Sequence, residues 1–185
     1  GQGRLGNENS SSQNKPVDVK GITNAIKISA GGKHNCALLN DGQIKCWGSG
    51  DYGPLGNGPI SGTGTTISEN VYQIDTAIDV SAGWNHSCAV LADGSMKCWG
   101  SNNYGKIGNG QNDDTYAGIP NKIMVWDGNG SVVDADTGQF NSCAVLDNGT
   151  AACWGWNSVG QLGNGGYYQY DSYPRYPVAL NQGEI

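Results

Sequence analysis

The feature that most constrains this chain of 185 residues is an internal repeat of about 52 residues. The segment His34–Gly58 recurs as His86–Gly110 and again as Asn141–Gly165, with two cysteines, a CWG phrase and a closing GNG in the same order. Arg4–Asn7 repeats part of the closing phrase once more, so the chain holds about three and a half units. A period of this length is typical of repeat proteins in which each unit is one small structural element.

Each unit is predicted to contain four short β-strands. A Val-rich segment comes first, an alternating segment follows, and the last two strands carry the two cysteines. The Val-rich segments begin at Pro16, Val71, Lys122 and Pro177, and the alternating ones begin at Ala25, Ala77 and Val132. Four strands in about 52 residues is the size of a β-propeller blade, and the GxLGNG phrase then leads to the next blade.

The predicted fold is therefore all-β and built of propeller blades of about 50–55 residues. We expect a single repeat array over residues 1–185, with blades near 8–57, 58–109 and 110–164 and a partial fourth unit at 165–185. The partial unit is expected to add an extra strand at Pro177–Leu180. A closed propeller has at least about four blades, so three blades predict an open array or part of a larger ring.

Composition excludes several other classes of protein. The 31 glycines and the low share of charged residues, 14%, disfavour long helices, because glycine is unfavourable in a helix and good helix formers are scarce. The net charge of −6 argues against a nucleic-acid or anionic-membrane partner, since both require clustered basic side chains. No run of about 18 apolar residues is present that could span a bilayer. The sequence also shows no nucleophile and base set, no paired carboxylates and no phosphate loop, so we expect neither catalysis nor a cofactor.

The six cysteines are predicted to form three disulfide bonds, each within one hairpin. A three-residue loop, NDG, ADG or DNG, joins the third and fourth strands, and its glycine fits the left-handed position of a bulged turn. This loop places the two cysteines of each unit directly opposite one another, at a separation that a disulfide bond can span. The predicted pairs are Cys36–Cys46, Cys88–Cys98 and Cys143–Cys153.

Two alternatives to disulfide bonds remain open at this point. His34 lies two residues before Cys36 on the same strand face, so a metal site that also includes Cys46 is geometrically conceivable. Unit three, however, has Asn141 in place of the histidine and keeps both cysteines. Reduced thiols buried in a core are the other alternative. The even number of cysteines and their repeated spacing favour disulfide bonds, and we expect no bound metal.

The combined motif ALLxDGxIxCWGSxxYGxLGNG resembles the repeat of the regulator-of-chromosome-condensation family, in the cysteine-bearing version found in secreted bacterial proteins. The resemblance covers nearly the whole chain, because SAGxxH, DG, CWG and GxLGNG follow in order, although unit three has DTGQFN in place of SAGxxH. It implies a β-propeller, usually of seven blades. Either further chain or further copies would then complete the ring, because unpaired strand edges favour such additions.

Function differs widely within this family. Some members exchange nucleotide on a small GTPase, one bacterial group inhibits β-lactamases, and many large extracellular forms have no assigned role. The residues with which the exchange factor binds its partner lie on loops that match none in this sequence, so no residue is carried over. Fold alone does not determine function.

The candidate interface is a tyrosine-rich segment. Five of the nine tyrosines fall within ten residues, namely Tyr167, Tyr168, Tyr170, Tyr173 and Tyr176. Tyrosine offers rigid apolar area with a polar tip, which suits a protein interface or the stacking of a sugar. A protein partner is the favoured interpretation, and sugar binding or an ordinary ordered loop are the alternatives.

Histidine and tryptophan recur once per unit, which favours structural roles. The ring nitrogens of His34 and His86 are expected to bond to backbone near the blade hairpin. Trp47, Trp99 and Trp154 are expected to pack against the neighbouring blade. Three further tryptophans break the repeat and are better candidates for exposed contacts: Trp84, Trp126 and Trp156.

Four sequons are candidate glycosylation sites, at Asn9, Asn85, Asn129 and Asn148. Together with the cysteine pairs they predict an extracellular or cell-surface protein. The leading hypothesis is a non-enzymatic structural or protein-binding propeller module that assembles with further copies as a ring or filament, or with the remainder of its own chain. A carbohydrate-binding surface domain and a propeller that inhibits an enzyme are the alternatives.

Overall fold

Three antiparallel sheets of four strands make up the computed structural model, which describes residues 2–58, 64–112, 116–122 and 130–175. The first sheet contains β1 (Ala25–Ala30), β2 (His34–Leu39), β3 (Ile44–Gly48) and β4 (Thr65–Asn70). The second contains β5 (Ala77–Ala82), β6 (His86–Leu91), β7 (Met96–Ser101) and β8 (Tyr116–Lys122). The third contains β9 (Val132–Thr137), β10 (Asn141–Leu146), β11 (Ala151–Trp156) and β12 (Tyr170–Arg175).

In each sheet the strands lie side by side in the order of the chain, as in a propeller blade. We call the sheets blades 1, 2 and 3. The prediction of an all-β chain of four-stranded blades is therefore confirmed. A short 3₁₀ turn, Asn103–Gly105, follows the third strand of blade 2.

The outermost strand of each blade is not the segment that the sequence indicated. Strands are expected at Pro16 and at Val71, but both segments are irregular in the structure. In blade 1 the fourth strand is β4, which ends just before Val71. Val71 and Ile74 are apolar for another reason, because both are buried between blades 1 and 2. Each blade thus takes its outer strand from the residues after its own GxLGNG phrase. Pro177–Leu180, the expected extra strand, lies outside the described residues.

The hairpins have the predicted register. Cys36 lies opposite Cys46, Cys88 opposite Cys98, and Cys143 opposite Cys153, and all three pairs are joined as disulfide bonds with Cα atoms 4.1 Å apart. No free cysteine occurs among the described residues. The disulfide interpretation therefore replaces both the metal and the reduced-thiol alternatives.

The blades pack face to face, and the core lies between them. The disulfide of blade 1 packs with Leu38 and Ile44 against Val80 and Trp99 of blade 2. The disulfide face of blade 2 packs in the same way against Leu146 and Trp154 of blade 3. The first strands of successive blades contact one another, so β1, β5 and β9 form the inner edge of the array.

Candidate protein-interaction surface

Each tryptophan of the CWG phrase forms a hydrogen bond between its blade and the turn that precedes that blade. The indole Nε1 of Trp47, Trp99 and Trp154 donates a hydrogen bond to the backbone oxygen of Arg4, Pro54 and Lys106 at 3.0, 2.8 and 2.9 Å. All three rings are almost fully buried. The prediction that these tryptophans pack against the neighbouring blade agrees with this geometry.

Both histidines join neighbouring blades through a serine. His34 Nε2 lies 2.7 Å from Ser87 Oγ in blade 2, and His86 Nε2 lies 2.9 Å from Ser142 Oγ in blade 3. Each serine hydroxyl donates its hydrogen to a backbone oxygen, at 2.9 Å for Ser87 and 2.8 Å for Ser142. The histidine must therefore donate from Nε2, because the serine hydrogen is already used. The expected bond from histidine to backbone is replaced by a bond to a side chain of the next blade.

The remaining ring nitrogen of both histidines is buried and has no hydrogen-bond partner in the described part of the chain. Burial lowers the pKa of His34 to about 4, and it lowers the pKa of His86 well below its ordinary value, with further decreases from the nearby charges of Lys106 and His34. Both imidazoles are therefore neutral at physiological pH. They hold blades together and are poorly suited to catalysis.

Charged residues tie the blades together at the inner edge. Lys27 of blade 1 forms an ion pair with Asp79 of blade 2. Burial alone would raise the pKa of Asp79, but hydrogen bonds with Asp134 and Lys27 hold it below its ordinary value. The same hydrogen bond with Asp79 raises the pKa of Asp134 in blade 3. Within the described ranges no group of three or more His, Cys, Asp or Glu side chains is arranged to hold a metal ion.

The structure places four of the five tyrosines of the candidate interface, and Tyr176 lies outside the described residues. Tyr167 is 81% exposed and Tyr168 is 71% exposed, while Tyr170 and Tyr173 belong to the outer strand β12 and are partly exposed. An open depression of about 750 Å³ lies beside them, lined in part by Tyr168 and Arg175. Exposed tyrosines on an edge strand offer contact area for another molecule.

A second group of aromatic side chains lies next to this segment. Tyr104, Phe140 and Trp156 pack with their ring centroids 5.6, 5.7 and 6.4 Å apart, and we call them the aromatic cluster. Trp156 pairs with Tyr170 across strands β11 and β12, so the aromatic cluster is continuous with the tyrosine-rich segment. All three rings of the cluster are partly exposed.

The sequence indicates only part of the surface formed by the aromatic cluster and the tyrosine-rich segment. Trp156 is a sequence candidate because it breaks the repeat, whereas Phe140 and Tyr104 are not among the candidates. Phe140 is the single phenylalanine of the chain and stands where unit two has Asn85, which is the signal that could have identified it. Trp84 is 42% exposed, as expected for a residue outside the repeat, and Trp126 lies outside the described residues.

The sequons differ in accessibility. Asn9 and Asn148 are exposed, and their side-chain oxygens accept hydrogen bonds from the backbone two residues later. Asn85 is partly buried, and its side-chain oxygen is buried without a hydrogen-bond partner. Asn129 lies outside the described residues. Among the sequons that the structure describes, Asn9 and Asn148 are the accessible ones.

Comparison with known proteins identifies the class of protein that this fold defines. The Regulator of chromosome condensation (RCC1) repeat matches residues 1–38, 25–53, 77–106, 93–145 and 132–161. Yeast RCC1 (Prp20), in a crystal structure with Kap60, has the same fold with a TM-score of 0.83 and 20% sequence identity, over 98% of this chain and 43% of that one. The fold is thus an RCC1-type β-propeller.

Two curated relatives support the same grouping at the level of sequence. The human E3 ubiquitin-protein ligase HERC2 is 31% identical over 171 residues, which is 89% of this chain and 4% of the relative. The ultraviolet-B receptor UVR8 of Arabidopsis thaliana is 32% identical over 166 residues, which is 88% of this chain and 37% of the relative. The chain thus spans much less than half the length of either. It belongs to the RCC1 repeat family.

No helix in the described part of the chain is both long enough and apolar enough to cross a membrane.

Proposed function

We propose that this chain is a non-enzymatic, extracellular protein-binding segment of a β-propeller. The observation that carries the proposal is the aromatic surface at blade 3, where Tyr167 and Tyr168 are 81% and 71% exposed. They lead into Tyr170, which is paired with Trp156 of the aromatic cluster. Buried aromatic anchors contribute much of the binding energy in protein interfaces. The yeast relative in the same fold was crystallised with another protein, Kap60, which supports a binding role for such a scaffold.

An oxidising compartment is part of the proposal. Three disulfide bonds within one array are typical of secreted or surface proteins, because cytosolic thiols are kept reduced. The accessible sequons at Asn9 and Asn148 fit the same location.

The proposal also includes assembly beyond these three blades. Ile28 of blade 1 is 59% exposed, whereas Val80, which has the same place in blade 2, is 1% exposed because blade 1 covers it. Val145 of blade 3 is 39% exposed, whereas Leu38 at the same place in blade 1 is buried. Each outer face therefore exposes an apolar side chain whose counterpart inside the array is buried, and we propose that further copies or further blades cover it as a ring or a filament.

A site-specific photocrosslinking experiment tests the binding role. Benzoylphenylalanine is placed at Tyr167 in one preparation and, as a control, at Tyr72, which is 53% exposed but lies outside the tyrosine-rich segment. Each purified protein is irradiated in the extracellular fraction of the source culture, and adducts are separated by mass. We expect a discrete protein adduct at Tyr167 that is absent at Tyr72. Equal labelling at both positions, or none at Tyr167, would refute a protein interface there.

Sugar binding is the competing outcome, because exposed tyrosines also stack on sugar rings. A glycan array probed with the folded protein separates the two. Glycan binding that Tyr167→Ser and Tyr168→Ser abolish, with no protein adduct, would replace the protein-binding proposal by the carbohydrate-binding one.

A further inference from the structure

Lys106 is a buried lysine that has no acidic partner among the residues the structure describes. It lies between blades 2 and 3, where its backbone oxygen accepts hydrogen bonds from Ser142 and Trp154, and its side chain is only 2% exposed. The ammonium Nζ lies over the Phe140 ring, 5.8 Å from the centroid. The ion pairs found among the described residues are Lys27 with Asp79 and Arg175 with Asp171, and neither includes Lys106. The attraction of the Phe140 ring is therefore the single favourable contact that the structure shows for this charge.

An ammonium on a largely buried residue that has no acidic partner among the described residues is unfavourable, so its position requires an explanation. Removing the charge from water costs free energy, and burial accordingly lowers the pKa of Lys106 to about 8. The repeat does not require lysine here, because the corresponding residues of units one and three are Pro54 and Gln161. A charge that the fold neither needs nor neutralises is a candidate for binding an external anion.

The aromatic cluster above Lys106 is also particular to this junction between blades. Phe140 and Trp156 occupy positions where unit two has Asn85 and Ser101, so the cluster is not needed to build a blade. Its rings are partly exposed and strongly inclined, with interplanar angles of 76°, 80° and 45°. Phe140, the ring that the Lys106 ammonium faces, is thus steeply inclined to both of its aromatic neighbours.

This geometry selects among the possible ligands. A neutral sugar ring could stack on one of these aromatic faces, but it would leave the Lys106 ammonium without an anionic partner. A cationic side chain would be repelled by the Lys106 ammonium, although aromatic rings alone often bind cations. A carboxylate on a short apolar stem satisfies both parts of the site, because the stem contacts the rings and the carboxylate pairs with the ammonium.

We propose that Lys106 and the aromatic cluster form a binding site for an acidic side chain of a peptide segment in the protein partner. This inference rests on the proposed protein-binding function and specifies one contact within it. Trp156 connects the site to Tyr170, so a peptide seated at Lys106 continues along the tyrosine-rich segment.

Fluorescence anisotropy with short labelled peptides tests the site. The probes are a hexaglutamate peptide, a hexaglutamine peptide of the same length, and an oligosaccharide of glucuronic acid. Three variants of the full chain are compared. Lys106→Gln and Phe140→Asn use residues that other units of the same chain carry at these positions, so the fold is expected to tolerate them. Lys97→Gln is the matched control, because Lys97 is another lysine of blade 2 and bonds to the Gln73 backbone at 3.2 Å, away from the cluster.

We expect the unchanged chain to bind hexaglutamate and not hexaglutamine. Lys106→Gln should weaken this binding by about thirtyfold or more, because a desolvated charge pair is lost. Phe140→Asn should weaken it as well, and Lys97→Gln should leave it unchanged. Circular dichroism and thermal unfolding confirm that each variant is folded.

Three outcomes would overturn the inference. Equal binding of the two peptides, or equal binding by the unchanged chain and Lys106→Gln, would show that Lys106 does not recognise a carboxylate. Stronger binding of the glucuronic acid oligosaccharide would assign the site to acidic sugars. Photocrosslinking at Tyr167 tests the proposed function separately. An adduct that is unchanged in Lys106→Gln would support the protein interface and contradict a role for Lys106 in it.

Discussion

Two histidines illustrate how a single residue type can connect successive blades. His34 and His86 each donate from Nε2 to a serine of the next blade, and their other ring nitrogen is buried without a partner. Protonation would place a positive charge on that buried nitrogen, where no acceptor is available. The neutral ring is therefore the form that the folded array requires.

This arrangement predicts that the array loses stability as the pH falls from about 6.5 to about 4. The unfolded chain protonates its histidines near the ordinary pKa of 6.5, whereas folded His34 does so only near 4, so the unfolded state binds more protons in this window. The free energy of unfolding should decrease by about 3 kcal/mol for His34 across the window. His86 adds to the decrease, because its pKa is lowered in the same direction.

Urea unfolding at a series of pH values measures the effect. The control is the double variant His34→Asn and His86→Asn, since Asn141 stands at this position in blade 3. The variant should be less stable at neutral pH but should lose most of the decrease between pH 6.5 and 4. An unchanged pH dependence in the double variant would assign the effect to carboxylates instead.

At the scale of the element, the sequence predicted the hairpins well and the outer strands poorly. The hairpin of Cys36 and Cys46 could be predicted because its loop length and its glycine determine the register. The outer strands β4, β8 and β12 share no motif with one another, so a search for repeats does not detect them. Two of them contain proline, which an outer strand tolerates because one of its edges is unpaired.

The Val-rich segments are predicted to be strands because their apolar residues suit a pleated sheet. In the structure Val71 and Ile74 fill the space between two blades without joining a sheet. A segment rich in apolar residues is expected to be buried, and here these residues are buried by packing between blades. The aromatic cluster could not be predicted for a related reason, because Tyr104 and Phe140 are 36 residues apart in sequence and meet only when blades 2 and 3 pack.

The GxLGNG turn is the element that connects each tryptophan to the preceding unit, and glycine is required there for two reasons. Gly108 has a φ of +77°, which disfavours other residues, and an added Cβ would lie 2.6 Å from the Trp154 Nε1. Gly149, in the hairpin loop of blade 3, has a similar φ of +82° but nothing within 4 Å of an added Cβ. Substitution at Gly149 therefore measures the destabilisation from backbone conformation alone, and substitution at Gly108 adds the destabilisation from steric crowding.

We predict that Gly149→Ala lowers the free energy of unfolding by about 1–2 kcal/mol, the usual cost of a left-handed conformation. Gly108→Ala should cost a further 1–3 kcal/mol or so, because the methyl group displaces the Trp154 indole and weakens its bond to the Lys106 backbone. Chemical denaturation measures both values. Equal losses for the two variants would show that the contact between the turn and the tryptophan does not stabilise the array.

At the scale of the whole molecule, the two outer faces carry apolar side chains at places that are buried inside the array. The disulfides of blades 1 and 2 are fully buried, whereas Cys143 and Cys153 of blade 3 are partly exposed together with Val145. The same side chains that pack between blades inside the array are thus presented outward at blade 3. An apolar face with an unpaired edge favours association with a similar unit.

We predict that the isolated chain self-associates as its concentration rises and that Val145→Lys opposes this association. Lysine at the centre of the uncovered face would have to be buried as an unpaired charge in any contact of this kind. Val159→Lys is the matched control, because Val159 is 71% exposed and lies in the turn region beyond the third strand of blade 3. Sedimentation velocity over a wide range of concentration should show species heavier than 19.3 kDa for the unchanged chain and for Val159→Lys, and mainly the monomer for Val145→Lys. A monomer at every concentration in all three proteins would contradict association between copies through this face and leave further blades of a longer chain as the element that covers it.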